Sequence, residues 1–85
     1  MDRKKMNTND AIAYRIKKLL KEKKITQYRL EQKSGVYHGV MDRILLGYNK
    51  TVTLATVYKL ARGFDITIYE FLDDDIFRSE DLEIE

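Results

Sequence analysis

Apolar residues recur along this chain at helical spacing, in short runs separated by capping residues. Ile12, Ile16, Leu19 and Leu20 fall at i, i+4, i+7 and i+8, the stripe of a first helix, with Arg15, Lys17, Lys18, Lys21 and Lys23 on its other faces. Asn9 or Thr8 stands where its N-cap belongs. Thr26 opens a second helix, stapled by Ile25 and Leu30, and Gly35 ends it where the chain needs positive φ. Tyr37 to Leu46 forms a third, with Met41, Ile44 and Leu45 apolar and Gly47 closing it. Thr53 caps a fourth, stapled by Val52 and Val57, with Leu54, Val57, Leu60 and Ala61 inward and Gly63 as its stop. Thr67 opens a fifth, with a capping box to Glu70 and a staple from Ile66 to Phe71. Three caps of one design, in a chain without proline, leave little room for strands. The pattern predicts an all-α fold, a compact domain of five short helices with Leu30, Met41, Ile44, Val57, Leu60 and Phe71 in its core.

Composition narrows the chemistry. At 85 residues one domain is expected, with a small core. Absence of cysteine excludes a disulfide framework and a thiolate zinc site, and the single histidine, His38, disfavours a protein-only metal centre or a Ser/His nucleophile. No paired carboxylates stand at a cleft-forming spacing, and no glycine loop cradles a phosphate. Asp73, Asp74 and Asp75 lack the spaced ligands of a calcium loop. No enzyme activity, cofactor, metal or small-molecule ligand is expected. No apolar run approaches a membrane span of about 18 residues, and the first residues lack a signal-peptide core. The expectation is a soluble, cytoplasmic protein.

Charge adds a second kind of organisation. The net charge is +2, but residues 1–62 hold 15 Lys/Arg against 5 Asp/Glu, and residues 63–85 hold only Arg78 against 9 Asp/Glu. Residues 1–9 read as a basic arm, 10–72 as the folded domain and 73–85 as an acidic tail. A basic body suits a polyanion partner, and equally it can be a solvated lysine face. The tail can be a solvated end, can dock Ile76, Phe77, Leu82 and Ile84 on a second copy, or can lie over the basic body and compete with a polyanion.

Residues 27–46 then stand out: an eight-residue helix, a turn at Gly35 and a second helix of about ten residues, with Leu30, Val36, Met41 and Ile44 where two such helices cross. The string Thr26-Gln27-Tyr28-Arg29-Leu30, Ser34-Gly35-Val36, Ile44, Gly47, Thr53-Leu54, Thr56-Val57, Lys59-Leu60-Ala61, Asp65-Ile66 and Glu70-Phe71-Leu72 resembles the phage-repressor-like (Cro/C1 or Xre type) helix-turn-helix family. The resemblance implies a repressor-like fold with a central helix-turn-helix, and a double-stranded DNA partner bound by a homodimer. It implies a transcriptional regulator, mostly a repressor in this family, that inserts residues 37–46 into the major groove.

By the same resemblance Tyr37, His38, Gly39, Asp42 and Arg43 occupy the base-reading positions, and Gln27, Asn49, Lys50 and Thr51 the phosphate-contacting ones. Arg43 is the strongest of these by chemistry, since a guanidinium grips guanine O6 and N7 bidentately. His38 can donate or accept toward a base edge, and Tyr37 can touch a phosphate or a thymine methyl. Gly39 offers only close backbone approach. Asp42 can accept from cytosine N4, but its expected role is an intramolecular partner for Arg43. Tyr14, Tyr28, Tyr48, Tyr58 and Tyr69 are scattered, and read as core-edge or interface residues.

Three departures from the family pattern carry expectations. Glu31 stands where the family has a small residue, so it is expected to tilt outward or splay the helices. Tyr37 replaces the Ser or Thr that caps the recognition helix. Leu20 and Leu45 replace an arginine–glutamate pair. The competing reading is a protein-interaction or dimerisation module, antitoxin-like, with weak or non-specific DNA binding.

Overall fold

In a computed structural model, which describes residues 6–48, 52–78 and 82–83, six helices follow one another. They are α1 (Thr8–Lys23), α2 (Gln27–Ser34), α3 (His38–Leu46), α4 (Leu54–Gly63), α5 (Ile68–Leu72) and α6 (Asp75–Arg78). The five expected helices are present, and α6 is added to them by the acidic tail. Extended pairing among the described residues is confined to a single parallel bridge between Asn7 and Glu83.

Local chemistry sets the helix ends. Thr26, Thr53 and Thr67 accept hydrogen bonds from the backbone of Arg29, Thr56 and Glu70, as expected of N-caps. The cap of α1 is neither Thr8 nor Asn9. Asn7 accepts from the Asp10 amide at 2.8 Å while Asp10 receives the Asn7 amide at 3.3 Å, a reciprocal box that the Asn7/Asp10 spacing alone makes possible. Gly35 and Gly47 cap α2 and α3 at φ +76° and +79°.

Gly63 has a different role from the stop assigned to it. It is the last residue of α4, without positive φ, and the reversal falls on Asp65 at φ +59°. A Cβ on Gly63 would lie 2.8 Å from both Leu30 Cδ1 and Ser34 Cβ, so glycine here permits α2 to cross directly on α4. Lys33 of α2 also pairs with Asp65, and the hydrogen bond and charge of Lys33 lower the Asp65 pKa.

The core joins Ile12, Ile16 and Leu19 of α1 to Leu30, Val36, Met41, Ile44, Val57, Leu60, Phe64 and Phe71. All six expected core residues are buried, and Phe64 joins them from beyond the α4 periodicity. Leu20 and Leu45 are half-buried against this cluster. The tyrosines expected at core edges lie further out, from Tyr14 and Tyr58 near half exposure to Tyr69 at 84 %.

Arg15, which spacing places off the apolar stripe of α1, is buried. Its Nε donates to the Phe71 carbonyl at 2.7 Å, its Nη2 to the Glu70 carbonyl at 2.8 Å and its Nη1 to Asp74 at 3.3 Å. The guanidinium thus satisfies the C-terminal carbonyls of α5, which a five-residue helix cannot pair internally. Asp74 also accepts from Lys18 Nζ at 2.7 Å and from the Ile76 amide at 2.9 Å. Phe77 packs on Phe71 at 6.4 Å between ring centroids, and Glu83 exchanges backbone hydrogen bonds with Met6 and Thr8. These contacts of the tail fall on α1, α5 and the segment that leads into α1.

Two measurements probe these contacts. Gly63→Ala is expected to lower unfolding free energy by about 1–2 kcal/mol in urea titrations, overpacking outweighing the gain in helix propensity. Asp74 has its pKa lowered, first by the Ile76 amide and then by Lys18. Its stabilisation is therefore present above the unfolded carboxylate range and lost as pH falls through the depressed value. The stability difference between wild type and Asp74→Asn is expected to be full near neutrality and to shrink on acidification. A difference that grew instead would refute the pairing.

Candidate nucleic-acid interface

The turn Ser34-Gly35-Val36 sets α3 against α2. The Val36 amide donates to Ser34 Oγ at 3.1 Å, and Val36 is buried with Leu30, Met41 and Ile44 on the inner side of the pair. That burial leaves the opposite side of α3 in solvent. Tyr37, His38, Gly39, Val40, Arg43 and Leu46 are all exposed; Gly39, Arg43 and Leu46 fall on the side opposite the buried Met41 and Ile44, with His38 on the flank toward α2. The structure therefore leaves four of the five expected base-reading residues exposed, Gly39 and Arg43 on the outer side of α3 and Tyr37 and His38 at its start. Val40 and Leu46 join them, and their apolar character had concealed this.

Among the described residues the Arg43 side chain enters no ion pair, and the expected bond from Asp42 is absent. Asp42 turns toward α2 instead. Its Oδ1 accepts from Gln27 Nε2 at 2.9 Å, and its Oδ2 lies 3.2 Å from His38 Nε2. The reason is helical register: His38 and Asp42 are one turn apart and meet on the α2 side, whereas Asp42 and Arg43 diverge by about 100°.

Glu31 also departs from expectation. It does not tilt outward, but lies in the angle between α2 and α3 with its side chain 10 % exposed. Its Oε2 accepts from Gln27 Nε2 at 2.9 Å and meets His38 Nδ1 at 2.8 Å. The hydrogen bond to Glu31, then the charges of Asp42 and Glu31, raise the His38 pKa above its ordinary 6.5. Gln27, expected at a phosphate, has its amide nitrogen committed to both carboxylates. A family pattern with a small residue at position 31 gives no signal for this network. The presence of a carboxylate there, seven residues before the only histidine, is its sequence trace.

Tyr37 caps α3 with extended backbone (φ −64°, ψ 148°) but its side chain makes no cap hydrogen bond, and it is 82 % exposed. The first amides of α3 are thus left for solvent or for an anion, in contrast to α1, α2, α4 and α5. Asn49, Lys50 and Thr51 lie outside the described residues.

An open, helix-borne basic residue, a helix end with free amides and a buried helix-turn-helix crossing suit a groove-reading element. Comparison with known proteins agrees. Residues 15–75 match the model of the Cro/C1-type HTH DNA-binding domain. The chain belongs to the Cro/C1-type helix-turn-helix family. The solved structures similar to it include an HTH_3 family transcriptional regulator from Vibrio cholerae, with a TM-score of 0.71 and 26 % identity. That match covers 80 % of this chain and 38 % of the other, so this chain spans well under half of its relative's length. No curated protein matches. Membership in this DNA-binding family carries no catalytic role. Among the described residues no helix is long and apolar enough to cross a membrane.

The missing cap is measurable. Tyr37→Ser is expected to raise unfolding free energy by about 1 kcal/mol, since a serine hydroxyl can accept from the exposed α3 amides. An unchanged value in urea titration would mean that the tyrosine ring contributes packing of equal worth.

Proposed function

We propose that this chain is a sequence-specific double-stranded-DNA-binding regulator of transcription, acting as a repressor through insertion of α3 into the major groove. One observation carries the reading: Arg43 stands on the open side of α3 with no ion-pair partner among the described residues, where a guanidinium is available for guanine. Val40 and Tyr37 flank it with groups suited to a thymine methyl, and Gly39 permits close approach of the helix backbone. His38 and Asp42 stand on the flank toward α2, tied to each other and to that helix.

Gln27 faces the backbone through its free carbonyl side and through position rather than through its amide nitrogen. Asn49, Lys50 and Thr51 take the backbone-contacting role that the family resemblance gives them. A homodimer that reads two related half-sites in the cytoplasm completes the proposal, and its support is the family alone. The division into a basic arm (1–9), a DNA-binding domain (10–72) and an acidic tail (73–85) belongs to the same proposal. Asp74 and Phe77 tie that tail to the domain it follows.

Selection of genomic duplex fragments on the purified chain tests this directly. A two-fold-related site with half-site centres about 10 base pairs apart is expected. Arg43→Ala is expected to cost about 1–3 kcal/mol on that site and to relax the base preference opposite residue 43. Binding should weaken with salt at a log–log slope near −0.9 per phosphate neutralised. Equal retention of every fragment, or a flat salt response, would count against it.

A further inference from the structure

Both ring nitrogens of His38 lie against carboxylates: Nδ1 at 2.8 Å from Glu31 of α2 and Nε2 at 3.2 Å from Asp42 of α3. An ionised carboxylate only accepts, whereas a neutral imidazole has one donor nitrogen and one acceptor. A neutral ring can keep the hydrogen bond to Glu31 through Nδ1–H, but it then presents the Nε2 lone pair to Asp42; only the imidazolium meets both carboxylates with positive charge. Gln27 Nε2 closes the ring of contacts by donating to the same two carboxylates, at 2.9 Å each. Tyr28 lines the same groove between the helices, a cavity of about 310 Å³, and its hydroxyl is engaged by Gln32. Glu31 and Asp42 are the charged groups that face His38 from the two helices packed about it.

We propose that His38 is a positioning residue. As an imidazolium it clamps Glu31 to Asp42, fixes the start of α3 on α2 and neutralises the acids beside the DNA-reading face, so that DNA binding takes up a proton at this ring. The proposal rests on the DNA-binding reading above and adds a regulatory property to it. When the ring loses its proton, one nitrogen confronts a carboxylate as acceptor against acceptor. The two acids then stand uncompensated where DNA phosphates approach. Phosphates bound nearby favour the charged ring further, which by linkage makes affinity fall as pH rises. The elevated pKa of the free protein's ring agrees in direction.

The test is duplex binding at constant ionic strength between about pH 6 and pH 8. The probe is the enriched fragment or, failing enrichment, a mixed-sequence duplex of about 30 base pairs. Wild-type affinity is expected to fall by up to about tenfold per pH unit between the ring's pKa in the free protein and its higher pKa in the complex, the slope of one proton per chain. His38→Lys, a permanent cation, and His38→Gln, which carries none, should each bind with no such slope, the lysine variant more tightly at high pH. Because the chain has a single histidine, its ring proton resonance titrates without overlap. Its pKa should fall in Glu31→Gln and in Asp42→Asn. Wild-type binding that is as flat with pH as that of His38→Gln overturns the clamp and leaves the DNA-binding reading intact. A free-protein pKa at or below 6.5 overturns it as well. Absence of binding at every pH removes the DNA-binding reading itself, and with it this one.

Discussion

Where α4 ends against α2, the Gly63 backbone comes so near Ser34 and Leu30 that one added methyl would meet both at 2.8 Å. The orientation of everything that follows α2 depends on this approach. With α2 seated on α4, the turn at Gly35 carries α3 onto α1, and Leu30, Met41 and Ile44 close the core between them. The outer stripe of α3 is exposed because its inner stripe has been used. A protein interior packed at crystal-like density allows few alternatives to that placement.

A second constraint secures the other end of the domain. Arg15 projects from the middle of α1 into the end of α5, where it answers two carbonyls and the Asp74 carboxylate. A buried cation left alone would cost more than its packing returns, but here its fork is paired with fixed acceptors. The acidic stretch that begins at Asp73 is consequently part of the folded domain at its start. Asp74 is buried with Arg15 and reached by Lys18, and Phe77 lies on Phe71. The charge asymmetry of the chain is in part an internal one, with Arg15 and Lys18 of α1 holding Asp74 while Arg78 pairs with Asp73 and Asp75 within the tail.

The two faces of α3 differ in what they satisfy within the domain. Its inner side follows every packing rule. Its N-terminus breaks one, leaving amides without a side-chain cap beneath an exposed tyrosine. A polar group that could stabilise the isolated domain is absent where an anionic partner would supply the same hydrogen bonds, a pattern expected of binding sites. The acids beside it are balanced by one histidine and one glutamine, so the electrostatic character of the reading face is decided by four side chains from two helices.

Sequence alone determined five of the helices, the turn between α2 and α3, and most of the core, because caps and 3.6-residue periodicity are local properties written within a few positions; Leu54, read as inward, is exposed, and Phe64 is buried in its place. It determined the family resemblance for the same reason, since that pattern is a string of caps and apolar sites. Tertiary structure decided what depends on residues far apart in the chain. Arg15 reads as lying off the apolar stripe until α5 and Asp74, more than fifty residues on, surround it. Gly63 reads as a stop until α2 is laid on it. Glu31, Gln27 and His38 read as separate polar positions until the angle between two helices brings their atoms within hydrogen-bonding range and releases Arg43 from Asp42. Periodicity tells which side of a helix is buried, but which charge meets which is set by the crossing of helices, and that geometry exists only after the core has formed.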